Sequence, residues 1–314
     1  MTPGQILLKY YHTPLGRARD SLRYGGPFAV RETERQRGEM EAAAASLPAL
    51  PEHPGPTPVT LHLMTGRRFW YQTMFCLHSF AAAAPVTVRA ELYDDGSLDA
   101  AGIARLQRLG PGVQLHLAGA LRAKLDAHLP ATRFPVLRER WEHYPNIRKL
   151  TDVHLGSTGW KLVLDSDLLF FRRPDFLLDW LAAPDRILHA VDCLESYGYS
   201  RPLLRELAGV PIPPKVNVGL CGLRSDALDW DQLERWCAML HAREKTSYYL
   251  EQALVALLAA RAQPCAVAPA ADYVTRPSRA EVLAPRAVMH HYVDTAKRWY
   301  FRHPWRRFAG PGAA

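Results

Sequence analysis

The sequence predicts an α/β layered fold with a mainly parallel central sheet flanked by helices. Short apolar runs alternate with longer helical patterns from residue 59 onward, the signature of strand–helix–strand units. Pro, Gly, Asp and Ser clusters bound these runs, as turns require. No run approaches the roughly 18 to 20 apolar residues of a membrane helix, so the apolar segments read as core. A chain of 314 residues has length for one large or two modest domains.

Residues 1 to about 47 are polar, basic and mixed, and "RETERQRGEMEAAAASL" predicts a helix with a solvated face. "PALPEHPGPTP" (48–58) follows, and its prolines oppose helix and strand alike. Residues 1–58 are therefore read as an N-terminal helical or irregular extension with a Pro-rich linker, and 59–314 as the main domain. "VTLHLM" (59–64) predicts the first strand and "RRFWYQTMFCLHSFAAA" a helix. "PVTVRAELY" (85–93) predicts a second strand and "DDGS" (94–97) a turn, with Ser97 placed to cap the helix "LDAAGIARLQRL". "VQLHLA" (113–118) predicts a third strand, and one long helical stretch is expected from about 134 to 156. The strand "KLVL" then enters "WKLVLDSDLLFF".

Composition is that of a globular protein, 48% hydrophobic and 22% charged. The net charge of +8 is carried mostly by Arg. It suits a nucleotide, nucleic acid or lipid surface, and equally a plain preference for Arg. Cys76, Cys193, Cys221, Cys237 and Cys265 are far apart, with no metal-type spacing and no disulfide framework. The start "MTPGQILLKYYHTPLG" lacks a charged-then-apolar signal pattern. A reducing, cytoplasmic setting is the expectation, with peripheral membrane contact left open.

Asp165 and Asp167 stand one residue apart within an apolar run. Burying an unpaired carboxylate costs several kcal/mol, roughly, even after relaxation. In extended chain, residues i and i+2 face one side, and ligands gather at the carboxyl ends of parallel strands. The two acids are thus expected to converge on one divalent cation, Mn²⁺ or Mg²⁺. A solvated strand end is the plain alternative. Late in the chain, "MHHYVDTAKRWYF" (289–301) offers His290 and His291 as ligands and Lys297 as a phosphate contact.

Together, "VLDSDLLF" and "HHYVDTAK" resemble the metal-dependent glycosyltransferases of the GT-A fold, most of all the retaining glycogenin- and galactosyltransferase-like group. That family carries an Asp-x-Asp after a strand and a late His-x-x-Gly-x-x-Lys segment. The resemblance covers about residues 59–301. It implies a GT-A nucleotide-diphospho-sugar transferase fold, with Asp165, Asp167 and His291 holding the metal and Lys297 meeting the diphosphate. Asp294 stands where the family usually has Gly, and Trp299 fits the aromatic that follows. "NIRKLTDVHL" puts Lys149 where a Lys or Arg reaches the donor; "KVNVGL" puts Asn217 against the sugar. Thr65, Gly66 and Ser166 are the remaining donor contacts implied. "YYLEQALVALL" makes Glu251 and Gln252 the catalytic pair. The implied partners are a nucleotide-sugar donor, UDP-sugar favoured, and a sugar or glycoconjugate acceptor, without nucleic acid.

Two other readings stand beside this one. A haloacid-dehalogenase-like phosphatase also ends an apolar strand in Asp-x-Asp, but needs a further acidic cluster downstream. A basic nucleic-acid-binding protein would suit the charge, without a supporting motif. The sequence does not specify an oligomeric state.

Overall fold

The structure, a computed structural model, describes residues 25–309. In chain order its helices and strands are α1 (Pro27–Ala44), β1 (Val59–Thr65), α2 (Trp70–Ala83), β2 (Val88–Asp94), α3 (Ala100–Gln107), β3 (Val113–His116), α4 (Ala118–His128), α5 (Pro135–His143), α6 (Arg148–His154), β4 (Trp160–Leu164), β5 (Leu168–Phe170), α7 (Asp175–Ala182), β6 (Leu188–Val191) and α8 (Arg201–Ala208). They continue with β7 (Val216–Arg224), α9 (Trp230–Glu244), α10 (Leu250–Arg261), β8 (Ala266–Val267), β9 (Tyr273–Thr275), α11 (Arg279–Leu283), β10 (Met289–His291) and α12 (Lys297–Arg302).

Seven strands form the central sheet in the order β3-β2-β1-β4-β7-β6-β8. All its pairings are parallel except the two made by β7, with β4 and with β6. Register decides where chemistry can collect. Thr65 pairs with Asp94 and Leu63 with Leu164, so β1, β2 and β4 end at one edge. Strand β7 runs the other way, with Leu220 opposite Leu164, and so brings its beginning to that edge. A second sheet, β5-β10-β9, sits beyond it and sets His291 opposite Leu168.

Helices cover both faces, as a buried parallel sheet demands. On one side α1, α2 and α12 share a core around Phe75, Phe80, Phe170, Tyr300 and Trp305. On the other, α8, α9 and α10 pack around Leu204, Trp236 and Leu254. Ten of the twelve residues of α10 are buried, which explains why its sequence is apolar on every side. Met40 and Ala44 of α1, then Leu47 and, in the proline segment, Leu50 lie in the first core. Residues 47–58 are irregular, as their prolines imply, yet they are anchored: Leu50 N–H donates to Leu109 O at 2.9 Å and His53 N–H to Thr87 Oγ1 at 2.8 Å. The part of the expectation that falls on residues 1–24 lies outside the described residues.

Two local expectations are corrected. The stretch expected as one helix from 134 to 156 is α5, a 3₁₀ turn at Pro145–Ile147, and α6. Proline disfavours helical geometry in the residue before it, and Tyr144 there has φ −137° and ψ 89°. The cap of α3 is Asp99, whose carboxylate accepts from Gly102 N–H at 2.7 Å. Ser97 instead accepts from Arg67 N–H at 2.9 Å and so ties the β2 turn to the β1 turn. Among the described residues no helix is long and apolar enough to cross a membrane.

Candidate functional site

Beyond the carboxyl ends of β1, β2 and β4 lies a cleft of about 640 Å³. Its walls include Thr65, Lys149, Asp165, Ser166, Asp167, Asn217, Glu251, Gln252, His291 and Lys297. A second cavity of similar volume lies at the far ends of the strands, between Trp160, Trp236 and Arg261. It holds none of those residues.

Asp165 and Asp167 converge, but not by strand alternation. Residues 165–167 leave the strand and turn between β4 and β5. The turn is pinned by its backbone: Asp165 N–H donates to Gly219 O at 2.8 Å, and Tyr292 N–H to Asp167 O at 3.1 Å. β10 carries His291 to the same spot. Its Nε2 lies 3.3 Å from Asp167 Oδ1 and 3.6 Å from Asp165 Oδ2. That nitrogen is buried and makes no hydrogen bond. The distances are those of an ion pair or of ligands around a shared centre, not of a formed hydrogen bond. A donor atom from each of the three residues lies within 4.8 Å of the others. Two carboxylates and an imidazole in this arrangement fit a small divalent cation. Gly219 makes room for the imidazole, since a Cβ there would lie 2.1 Å from His291 Cε1.

Two lysines balance the acids. Lys297, at the start of α12, places Nζ 2.5 Å from Asp167 Oδ2. Burial opposes the Asp167 charge, yet Lys297 and His291 outweigh it and hold the carboxyl well below the usual range. Lys149, on α6, bridges Asp165 Oδ1 at 2.9 Å and Glu251 Oε2 at 3.2 Å. Burial opposes its charge too, and the two acids more than compensate, raising its pKa above the ordinary value. Glu251 goes the other way: burial pushes its carboxyl up to about 7, against the pull of Lys149. One ammonium serves two carboxylates, and Glu251 is the more deeply buried, 5% exposed against 30% for Asp165.

The other expected residues take distinct places. Thr65 is buried and accepts from Thr73 Oγ1 at 3.0 Å. Gly66 is not part of the cleft wall; it lets the Asp95 carboxylate come close, where a Cβ would meet it at 2.2 Å. Ser166 lies on the turn between the two acids. Asn217 sits at an irregularity where β7 leaves register with β6, and its Oδ1 accepts from Gly219 N–H at 3.0 Å. It thereby shapes the glycine that receives His291. Gln252 donates through Nε2 to Asp192 Oδ2 at 2.9 Å and to Val216 O at 2.8 Å. Asp294 has φ +50°, the left-handed region glycine favours, so the backbone keeps the shape that the usual glycine would supply. Trp299 lies outside the cleft wall and packs against Arg298, 4.4 Å from its ring.

Sequence reasoning missed Asp192, which lines the cleft and is held by Gln252. The signal was present: "LHAVD" ends an apolar run in an acid, as "KLVLD" does. Tyr144 and Asn146 also line the cleft; only the break at Pro145 brings them there.

This mainly parallel sheet layered by helices has the GT-A fold. No family model matches the chain, and no curated protein matches it by sequence. Among solved structures it is similar to the galactosyltransferase LgtC, determined with donor and acceptor sugar analogs, at 12% identity over 80% of this chain and 95% of that one, TM-score 0.53. It is also similar to WbbM, a bifunctional glycosyltransferase, at 14% identity over 83% of this chain and 52% of that one, TM-score 0.51. At these identities the likeness is one of fold.

Proposed function

We propose that this chain transfers a sugar from a nucleoside-diphosphate sugar, UDP-sugar favoured, to a hydroxyl of a sugar or glycoconjugate, with retention at the anomeric carbon. The observation that carries it is the convergence of Asp165, Asp167 and His291 beside Lys297, in a cleft at the carboxyl edge of this fold. Those three residues would hold Mn²⁺ or Mg²⁺. When bound, the ion supplies Lewis-acid stabilisation of the diphosphate.

In the reaction the anomeric C–O bond breaks, and its electron pair leaves with the diphosphate oxygen. A new C–O bond forms on the same face to the acceptor oxygen, whose proton passes to the departing diphosphate oxygen. Lys297 stands where a departing phosphate needs a positive contact, and it is preplaced by Asp167. Fixed charge of this kind stabilises a transition state by about 3 to 4 kcal/mol per contact. Glu251 is tied to Lys149, which favours electrostatic support of positive charge at the sugar over proton removal from the acceptor. Gln252 holds the Asp192 carboxylate at the cleft wall. A haloacid-dehalogenase-type phosphatase would need further acids beside the pair. Among the described residues, the side chains paired directly with Asp165 and Asp167 are Lys149, His291 and Lys297.

A thermal-shift panel of UDP- and GDP-sugars, with and without Mn²⁺, tests the proposal. At a hundredfold excess over Kd the correct donor adds about 2.7 kcal/mol of stability. The upward shift should need the ion and vanish in excess chelator. No shift with any nucleotide sugar would overturn the reading. Gly219→Ala checks the ligand set. By displacing the imidazole it should weaken Mn²⁺ binding, followed by electron paramagnetic resonance, about tenfold or more (~1.4 kcal/mol). Unchanged affinity would remove His291 from the set.

A further inference from the structure

We infer that the mouth of the cleft takes a saccharide chain of two or more rings as acceptor, with Tyr248 and Tyr249 as its stacking platform. The inference rests on the glycosyl-transfer reading and names the acceptor class. Tyr248 is 73% exposed and Tyr249 39%, and both line the cleft. Large apolar side chains scattered singly over a surface need no explanation. These two are adjacent, lie at the turn that opens the helix carrying Glu251 and Gln252, and share a backbone held by hydrogen bonds. Their rings meet edge to face, centroids 5.3 Å apart at 87°.

Two neighbouring segments and one local hydrogen bond hold the backbone of that loop. Tyr144 Oη donates to Tyr248 O at 2.6 Å. Ser247 Oγ accepts from Tyr249 N–H at 3.1 Å. Gly198 has φ +70°, and a Cβ there would lie 1.8 Å from Ser247 Oγ, so the loop after β6 lies directly on the tyrosine loop. A tyrosine has few side-chain torsions to lose on binding and offers a negative ring face. A pyranose presents the complement: one face of C–H bonds, which pack on an aromatic ring, and a rim of hydroxyls. Asp192, Ser196 and Asn146 line the same cleft as partners for those hydroxyls. A purely apolar acceptor would take water from them and offer no hydrogen bond in return, which is costly. The two rings stand at 87° to each other, so one pyranose can stack on only one of them and a ligand that covers both has at least two rings.

The experiment uses the full chain with UDP and Mn²⁺ on an array of mono- and oligosaccharides, comparing wild type with Tyr248→Ala and Tyr248→Phe. UDP affinity is measured separately on each. Wild type should retain at least one oligosaccharide. Tyr248→Ala should bind it about tenfold more weakly, the scale of one lost aromatic contact, while Tyr248→Phe stays within about twofold because the ring remains. UDP affinity should be equal in all three. The inference is overturned if UDP binds and no oligosaccharide is retained, if Tyr248→Ala binds as wild type does, or if that variant loses UDP as well. Failure of the wild type to bind UDP at all is a different result, and it sinks the glycosyl-transfer reading beneath.

Discussion

Asp167→Asn is expected to lower sugar transfer about 10³-fold, which corresponds to ~4 kcal/mol of transition-state stabilisation. The substitution keeps the side chain's shape and removes its charge. Asp167 orders Lys297 at 2.5 Å and faces His291 at 3.3 Å, so both the cation contact and the metal set lose their anchor together. The fold should survive. The turn is held through the backbone, by Tyr292 N–H on Asp167 O, and Lys297 is 30% exposed and can be resolvated. The measurement is kcat/KM for transfer beside the melting temperature of the same preparation. Turnover within tenfold of wild type would show that the acidic turn is not the reacting centre.

Lys149→Met should destabilise the protein by about 3 to 5 kcal/mol at pH 8, because it leaves a buried carboxylate without its partner. Transfer should be lost with it. The loss of stability should shrink at pH 5.5. Burial already pushes Glu251 up to about 7, and removing the ammonium removes the influence that lowers it. The folded state then holds a proton that the unfolded state releases above its ordinary value of 4.5. Stability therefore falls as pH rises through that window. Lys149 itself adds no pH dependence here. Its folded pKa is raised, so its contribution is complete everywhere below its unfolded value of 10.5. Urea unfolding at pH 5.5 and 8.0 reads the difference, and adding Glu251→Gln should restore much of the deficit at pH 8. An equal loss at both pH values would mean that Glu251 is not the group left unpaired.

Much of this was readable in the residues. The alternation of strand and helix patterns placed β1, α2, β2, β3 and β4 close to their observed bounds, since each is an apolar stretch closed by a turn. The acid at the end of "KLVL" and the late His and Lys were visible as candidates. What failed was local geometry under competing rules. Pro145 overrode a helical pattern, and Asp99 displaced Ser97 as a cap because it sits one residue before the first helical turn. The convergence of Asp165 and Asp167 was expected for the wrong reason, since a turn and not strand alternation brings them together.

By itself the sequence determined which segments are buried, where strands end, and that acids sit at one of those ends. Those properties are local, written in apolar periodicity and in Pro, Gly and Asp. Only the tertiary structure decided which charge faces which. Lys149 meets Asp165 across 16 residues of sequence, and Lys297 reaches Gln72 Oε1, at 3.5 Å, across 225. It also decided that Gly219 makes room for His291 and that Gln252 holds Asp192. A buried charge is tolerable only beside its opposite, and that neighbour is set by sheet register and helix packing, which no short stretch of sequence contains.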